Sequence, residues 1–443
     1  MLMIGGMILS TTALSAQDDD PLAQIDPKTQ GAVIDSVCAV LNRVYVFADV
    51  AKEMEKTVRK AYKDGKYRDL TDRAEFVQRL SDDMMEICND GHFGIRYIHN
   101  MDPALYQSFD SLPPDEQERV RRENETRLKY DNYDFKKVEI LPGNIGYLKF
   151  NRFDDASSAG AKAVSAMNFL SDADALIIDL RENGGGSPSM IQLITSYFFD
   201  EPVHLNSFFI REDSTYEQYW TQAHVEGPRM SDVDLYVLTS NYTFSGAEEF
   251  SYNLKNLKRA ILIGETTGGG AHPVRLAVYP NLGIVVRVPY GRAINPISKT
   301  NWEQVGVEPD VSVPADQALD VARMMALEKL VQREDNHPII QHILDWELES
   351  ARALADPYIP DAGKLTEYLG DYGPRHVFME NNELYYQRSG RPEYKMIPVA
   401  EDKFMLEGID YFKMLFIRDE HGNITEIMGL YNDGGSDHSP KTD

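Results

Sequence analysis

Between Glu139 and Ala315 short apolar runs alternate with stretches of helical periodicity, and this alternation limits the architectures open to the chain more than any other feature. Strands are expected at residues 145–150, 175–180, 235–239, 260–263 and 284–288, and helices at 156–170, 188–199 and 246–257. Short apolar strands interleaved with helices imply a largely parallel sheet with helices packed on its faces. Two further helices are expected at 315–330 and 338–354.

The flanks read differently. In the N-terminal region Ile34, Val37, Cys38, Leu41, Val44 and Tyr45 recur at three- and four-residue steps, which places them on one helix face. Asp72, three residues before Glu75, forms a capping pair for another helix that ends in the turn Asn89-Asp90-Gly91-His92. Beyond residue 360, short β-like runs are separated by Asn381-Asn382, Ser389-Gly390, Glu407-Gly408 and His421-Gly422, the turn chemistry of an antiparallel sheet. The expected organisation is a helical domain at 27–100, a linker or surface excursion at 101–138, an α/β core at 139–355 and an antiparallel β domain at 360–435. The polar tail from Asp433 is expected to fray.

A formal net charge of −26 argues against nucleic acid and anionic membrane surfaces as partners, since polyphosphate backbones attract basic faces. Residues 1–16 are nearly uncharged, end in Leu14-Ser15-Ala16 and precede the polar Gln17-Asp18-Asp19-Asp20, the pattern of a secretory signal peptide without its basic start. The stretch is short for a membrane span, so an exported protein, periplasmic or extracellular and without stable membrane insertion, is expected. The two cysteines, Cys38 and Cys88, either pair in an oxidising compartment or stay buried as thiols, and neither has metal-site spacing. No metal or other cofactor is expected.

Ser245 lies in Thr243-Phe244-Ser245-Gly246-Ala247-Glu248-Glu249, where the chain turns from strand to helix. A serine hydroxyl needs exposure and a neighbouring base before it attacks a carbonyl. At the helix N-terminus the Gly246 amide is placed to meet a developing oxyanion. Two glycine loops, Asn183-Gly184-Gly185-Gly186 and Gly264 to Gly270, offer further amides, with Gly185 or Gly186 the candidate partner of Gly246. Neither loop has the Lys-Ser/Thr ending of a P-loop or the spacing of a dinucleotide fingerprint, which disfavours phosphate binding. Of the ten histidines, His92 is the candidate base, because flanking glycines leave its imidazole accessible.

Five segments in this order resemble the S41 serine peptidases, the clan of C-terminal processing proteases, tricorn core domains and interphotoreceptor retinoid-binding protein modules. They are Asp90-Gly91-His92, Asp179 to Gly186, Thr243 to Glu249, Gly264 to Gly270, and Gly291-Arg292-Ala293-Ile294-Asn295-Pro296 followed by Asn301 to Asp310. The resemblance is to the branch without a PDZ domain, because the segment before the first core strand is too short for that module. It implies a crotonase-like (ClpP/crotonase) α/β core. It also implies an acyl-enzyme mechanism in which Ser245 attacks, His92 carries the proton and Glu303 supports the imidazolium. The alternative Ser–Lys dyad of the family is missing, since Gly270 stands near the place of its lysine.

Where tricorn-type sites carry a hydroxyl residue before the histidine, this chain has Gly91, so the group supporting His92 is unassigned, with Asp90 a candidate. The implied partner is a peptide or protein substrate, whose carboxylate Arg275, Arg287 or Arg292 could hold; the oligomeric state is open. A non-catalytic module binding a hydrophobic ligand or peptide on the same fold is the competing expectation. With an unperturbed imidazole, activity is expected to rise through a pH of about 6.5.

Overall fold

The fold is that of a computed structural model, which describes residues 22–99 and 113–442. The signal-peptide reading of residues 1–16 lies outside the described residues. Among those described, no helix is long and apolar enough to cross a membrane.

Asp26 opens the first helix, α1 (Pro27–Val44), by taking the Thr29 N–H at 2.7 Å while Pro27 fills a position that needs no donor. Helices α2 (Ala48–Lys63) and α3 (Arg73–Cys88) follow. Asp72 caps α3 by accepting the Glu75 N–H at 2.9 Å. Asn89 ends it in a left-handed conformation, which turns the chain toward His92. The three helices bury Val33, Val37, Leu41, Met54, Val58, Phe76, Leu80 and Met84 against one another and against the residues that follow. Cys38 and Cys88 are buried free thiols, pushed up to about 12 and about 11 by that burial.

After β1 (Gly94–Tyr97), the surface helix α4 (Pro114–Tyr130) buries none of its residues, in keeping with an excursion between folded parts. The chain then runs through β2 (Phe135–Leu141), β3 (Ile145–Phe150), α5 (Ala156–Phe169), β4 (Ala175–Asp179), α6 (Pro188–Ser196), β5 (His204–Ile210), β6 (Thr215–Trp220), β7 (Asp234–Thr239), α7 (Gly246–Asn256), β8 (Ile261–Gly264), β9 (Val274–Tyr279), β10 (Ile284–Pro289), β11 (Gly291–Ile294) and β12 (Val311–Ser312). The central sheet has the order β12-β8-β7-β4-β3-β2, with β8 parallel to both β7 and β12. Its middle strand β4 is buried along its whole length, which explains an unbroken apolar run instead of alternation.

Strand 284–288, expected in the parallel sheet, pairs elsewhere: β10 is the centre of an antiparallel sheet, β1-β10-β9. Its alternation of buried and partly buried residues is the signature of a sheet with one covered face. A further antiparallel sheet, β11-β5-β6, completes this part.

The chain divides into two compact units. One runs to Glu139 and includes Tyr147–Asp172 and Leu176–Ala315. The other comprises Ile140–Gly146, Ala173–Ala175 and the chain from Asp316, so α8 (Ala318–Leu330) and α9 (Pro338–Ala355) fall within the second unit. Its remaining strands are β13 (Gly370–Tyr372), β14 (Arg375–Glu380), β15 (Glu383–Arg388), β16 (Glu393–Ala400), β17 (Lys403–Leu406), β18 (Ile409–Arg418), β19 (Ile424–Tyr431) and β20 (Ser436–Thr442), closed into an antiparallel barrel. The polar tail therefore does not fray: β20 pairs with β19 and with β13. Closure supplies backbone partners on both edges, so a strand with little apolar surface is still held.

Candidate active site

The strand β7 ends at Thr239, and a tight turn delivers Ser245 to the N-cap of α7, just before Gly246. Ser245 adopts φ 55° and ψ −118°, a backbone conformation that L residues rarely take. Glu248 holds it there. This carboxylate is fully buried and accepts the Ser245 N–H at 2.7 Å, the Thr267 hydroxyl at 2.5 Å, and the Gly269 and Gly270 amides at 2.7 and 2.9 Å. Glu248 thus ties the strained turn to the glycine loop 264–270, and strain at one point is balanced by four hydrogen bonds at the next.

His92 arrives from the end of α3. Its Nε2 lies 3.1 Å from Ser245 Oγ, within hydrogen-bond reach. The imidazole is 6% exposed and lies against Phe244, with ring centres 4.8 Å apart. Arg287 holds the backbone of this turn, donating Nε to the His92 carbonyl at 2.9 Å and Nη2 to the Gly91 carbonyl at 3.2 Å. Burial pushes His92 down to about 4, against the opposing pull of Asp90, with Arg287 and His272 adding to the depression. The ring is therefore neutral over most of the pH scale, and the expected activity rise near pH 6.5 moves into the acid range.

Glycine is required at two places. A Cβ on Gly270 would sit 2.2 Å from the Phe244 ring and 2.7 Å from His92 Cε1, so no lysine can occupy that position beside this imidazole. A Cβ on Gly185 would lie 2.6 Å from the Gly246 nitrogen, and one on Gly246 would lie 2.8 Å from the Gly186 nitrogen. The two glycine segments are thereby pressed together beside Ser245. The Gly185 N–H is already donated to Asn183 Oδ1 at 2.8 Å.

The third candidate, Glu303, reaches the same region but makes no hydrogen bond to His92. Its Oε2 accepts the Ala271 N–H at 2.6 Å and lies 3.5 Å from His272 Nδ1. His92 Nδ1 and Glu303 Oε1 are both buried without a hydrogen-bond partner. Burial raises the Glu303 carboxyl above its ordinary value, and the Asp90 charge adds to the rise while His272 opposes it.

Asp90, 1% exposed, accepts the His92 N–H at 3.0 Å, His272 Nδ1 at 2.8 Å and the Tyr45 hydroxyl at 3.3 Å. Burial acts to raise it, but the His272 hydrogen bond and charge prevail and hold it below the ordinary carboxylate value. It shapes the turn that carries His92 and does not touch the ring nitrogen left unpaired. His272 carries no local signal in the sequence, because its partner Asp90 is 182 positions away.

One ligand atom each of Asp90, His272 and Glu303 falls within 4.8 Å of the others, a mixed nitrogen–oxygen set of the kind metals use. Tetrahedral zinc would space its ligand atoms about 3.3 Å apart. The 2.8 Å contact from His272 to Asp90 is instead the length of a hydrogen bond.

The other singled-out residues have structural partners. Asp179 binds Arg181 and the Tyr147 hydroxyl behind the loop 183–186. Arg275 pairs with Glu212 at 2.7 Å, and Arg292 lies over the Phe209 ring.

A model of peptidase family S41 matches residues 144–313, and the N-terminal domain of Peptidase_S41 in eukaryotic IRBP matches residues 27–142. A carboxyl-terminal-processing protease of Picosynechococcus sp. is 26% identical over 189 residues, covering 42% of this chain and 42% of that protein. The chloroplastic carboxyl-terminal-processing peptidase 2 of Arabidopsis thaliana is 31% identical over 183 residues, 39% of this chain and 34% of that protein. The chain thus spans less than half the length of these curated relatives. The crystal structure of mature CPAF shares the fold with a TM-score of 0.50 at 12% identity, covering 70% of this chain and 99% of that one. With both models matching consecutively from residue 27 to residue 313, the chain belongs to peptidase family S41.

Proposed function

We propose that this protein is an exported serine peptidase that cleaves peptide bonds through an acyl-enzyme, with Ser245 as nucleophile and His92 as its base. The observation that carries the reading is the 3.1 Å contact between His92 Nε2 and Ser245 Oγ at a strained strand-to-helix turn. Ser245 Oγ bonds to the scissile carbonyl carbon as its proton passes to His92 Nε2. The amides of Gly246 and Gly186 receive the resulting oxyanion, fixed dipoles that need no reorganisation as charge develops. When the tetrahedral species collapses, the C–N bond breaks and the leaving amine takes the proton from His92. Water then attacks the ester, gives a proton to His92 and releases the new carboxyl terminus, and the proton returns to Ser245.

Glu303 supports the imidazolium that exists between these transfers. A buried ring already pushed down to about 4 needs a nearby negative charge in order to accept a proton. Export rests on the apolar opening of the sequence, residues 1–16.

A fluorophosphonate probe followed by mass spectrometry of the digested protein tests the reading. Stoichiometric modification of Ser245, lost in Ser245→Ala, is the expected result. An unmodified Ser245 in folded wild-type protein would favour a binding module on the same fold.

A further inference from the structure

Two carboxylates from distant parts of the chain, buried Asp90 after α3 and half-buried Glu303 after β11, face one imidazole. Like charges brought together out of water repel unless a donor stands between them. His272 Nδ1 stands between them, hydrogen-bonded to Asp90 Oδ2 at 2.8 Å and at ion-pair distance, 3.5 Å, from Glu303 Oε2. The residue before it completes the grip, since the Ala271 N–H binds the same Glu303 oxygen at 2.6 Å. The ring of Phe47 meets the His272 ring edge to face, with centres 5.4 Å apart, and restrains its rotation.

We propose, on the Ser245–His92 reading above, that His272 is a positioning residue: it bridges Asp90 and Glu303 so that Glu303 stays ionised with one oxygen free to support His92. Asp90 has both oxygens engaged, one by the His92 N–H and the other by His272 and Tyr45. Glu303 has one oxygen held and one buried and unpaired, and the unpaired buried atom on the imidazole is His92 Nδ1. The groups facing His272 are Asp90 from the turn after α3, Glu303 from the loop after β11 and the Phe47 ring. Tyr45, His92 and the Arg287 guanidinium surround Asp90. In this setting the bridging donor opposes the repulsion that would otherwise protonate Glu303.

The test measures the rate of fluorophosphonate labelling of the full chain between pH 3 and pH 9 for wild type, His272→Phe, His272→Ala and His272→Asn. His272→Phe keeps a ring against Phe47 but removes the donor. The expected result is a loss on the order of 10-fold to 100-fold at pH 7, the scale seen when a residue that orients a reactive group is removed. The acid limb should also move up, because the rate needs Glu303 ionised as well as His92 neutral, and without the donor Glu303 protonates more readily. His272→Asn, which places an amide donor near the Nδ1 position, should recover most of the rate and the limb. Combining Glu303→Gln with His272→Phe should add little to either single loss.

A purely structural His272 would lower the rate by one factor at every pH and leave the limb in place, which overturns the proposal. Should the Phe variant fail to fold, His272→Ala carries the same test, since a polar cavity there takes water. Ser245→Ala and His92→Ala separate the two readings. If labelling survives in them, the Ser–His reading fails; if they are dead and His272→Phe behaves as wild type, only the role of His272 fails.

Discussion

Arg375 in the barrel is 1% exposed, and its Nε, Nη1 and Nη2 meet Tyr386, Ser439 and Asp437; His92 is nearly as deep, at 6%, yet its Nδ1 meets nothing. Lys413, also in the barrel, repeats the first pattern: its Nζ bonds the Trp346 carbonyl at 2.7 Å and Glu349 at 2.9 Å, and sits 4.1 Å from the Trp346 ring centre. Glu303 repeats the second, with one buried oxygen unpaired. Burying a polar group without a partner costs free energy, so complete pairing is what a stable scaffold needs. At the site, the atoms left without a partner are on groups that a reaction needs free to gain or lose a bond. The contrast separates a structural way of burying charge from a chemical one within a single chain.

The contrast breaks most visibly if the site residues prove inert. His92→Ala should slow fluorophosphonate labelling of Ser245 by about 10⁴-fold or more while leaving the melting temperature nearly unchanged, as measured by mass spectrometry and calorimetry on the same samples. Arg375→Met should do the reverse. Removing one partner from a buried charged network costs roughly 3 kcal/mol. That loss should appear in denaturant unfolding of the barrel, with the labelling rate at 25 °C within twofold of wild type.

Glu303→Gln sharpens the comparison within the site. It keeps the shape but removes the charge, and a loss of about 10²-fold in labelling rate is expected. An unchanged rate would place Glu303 among the structural carboxylates.

Glu249 supplies the smallest effect. It is wholly enclosed by α7 and its neighbours, and burial raises its carboxyl to about 7. A folded value above the unfolded one means stability is greatest below about pH 4.5 and is lost as pH rises toward 7. Glu249→Gln should escape that loss, gaining about 2 kcal/mol over wild type between pH 5 and pH 8 in chemical unfolding.

What could be read from the sequence follows from how local each signal is. Ser245 and His92 stand at turns marked by adjacent glycines, and β4 and β7 are apolar runs that need no distant partner to be recognised. The mixed α/β fold with a helical start and antiparallel β end was legible for the same reason. The strands β6 and β9 were not, because their residues are largely exposed or half-buried and carry no apolar alternation. Nor was β20, whose place is decided by pairing with β13 across the barrel rather than by its own composition. Glu248 reads as an ordinary capping residue until the glycine loop is seen folded over it. The imidazole pushed down to about 4 was equally hidden, since burial, not sequence neighbourhood, sets it.

The account depends most on a neutral, buried His92 accepting the Ser245 proton, and the pH dependence of Ser245 labelling measures that directly. The rate should climb through a midpoint near pH 4 and stay level above pH 6, with His92→Ala losing both the rate and the step. A rate unchanged from pH 3 to pH 9, or a step that survives in His92→Ala, would contradict it.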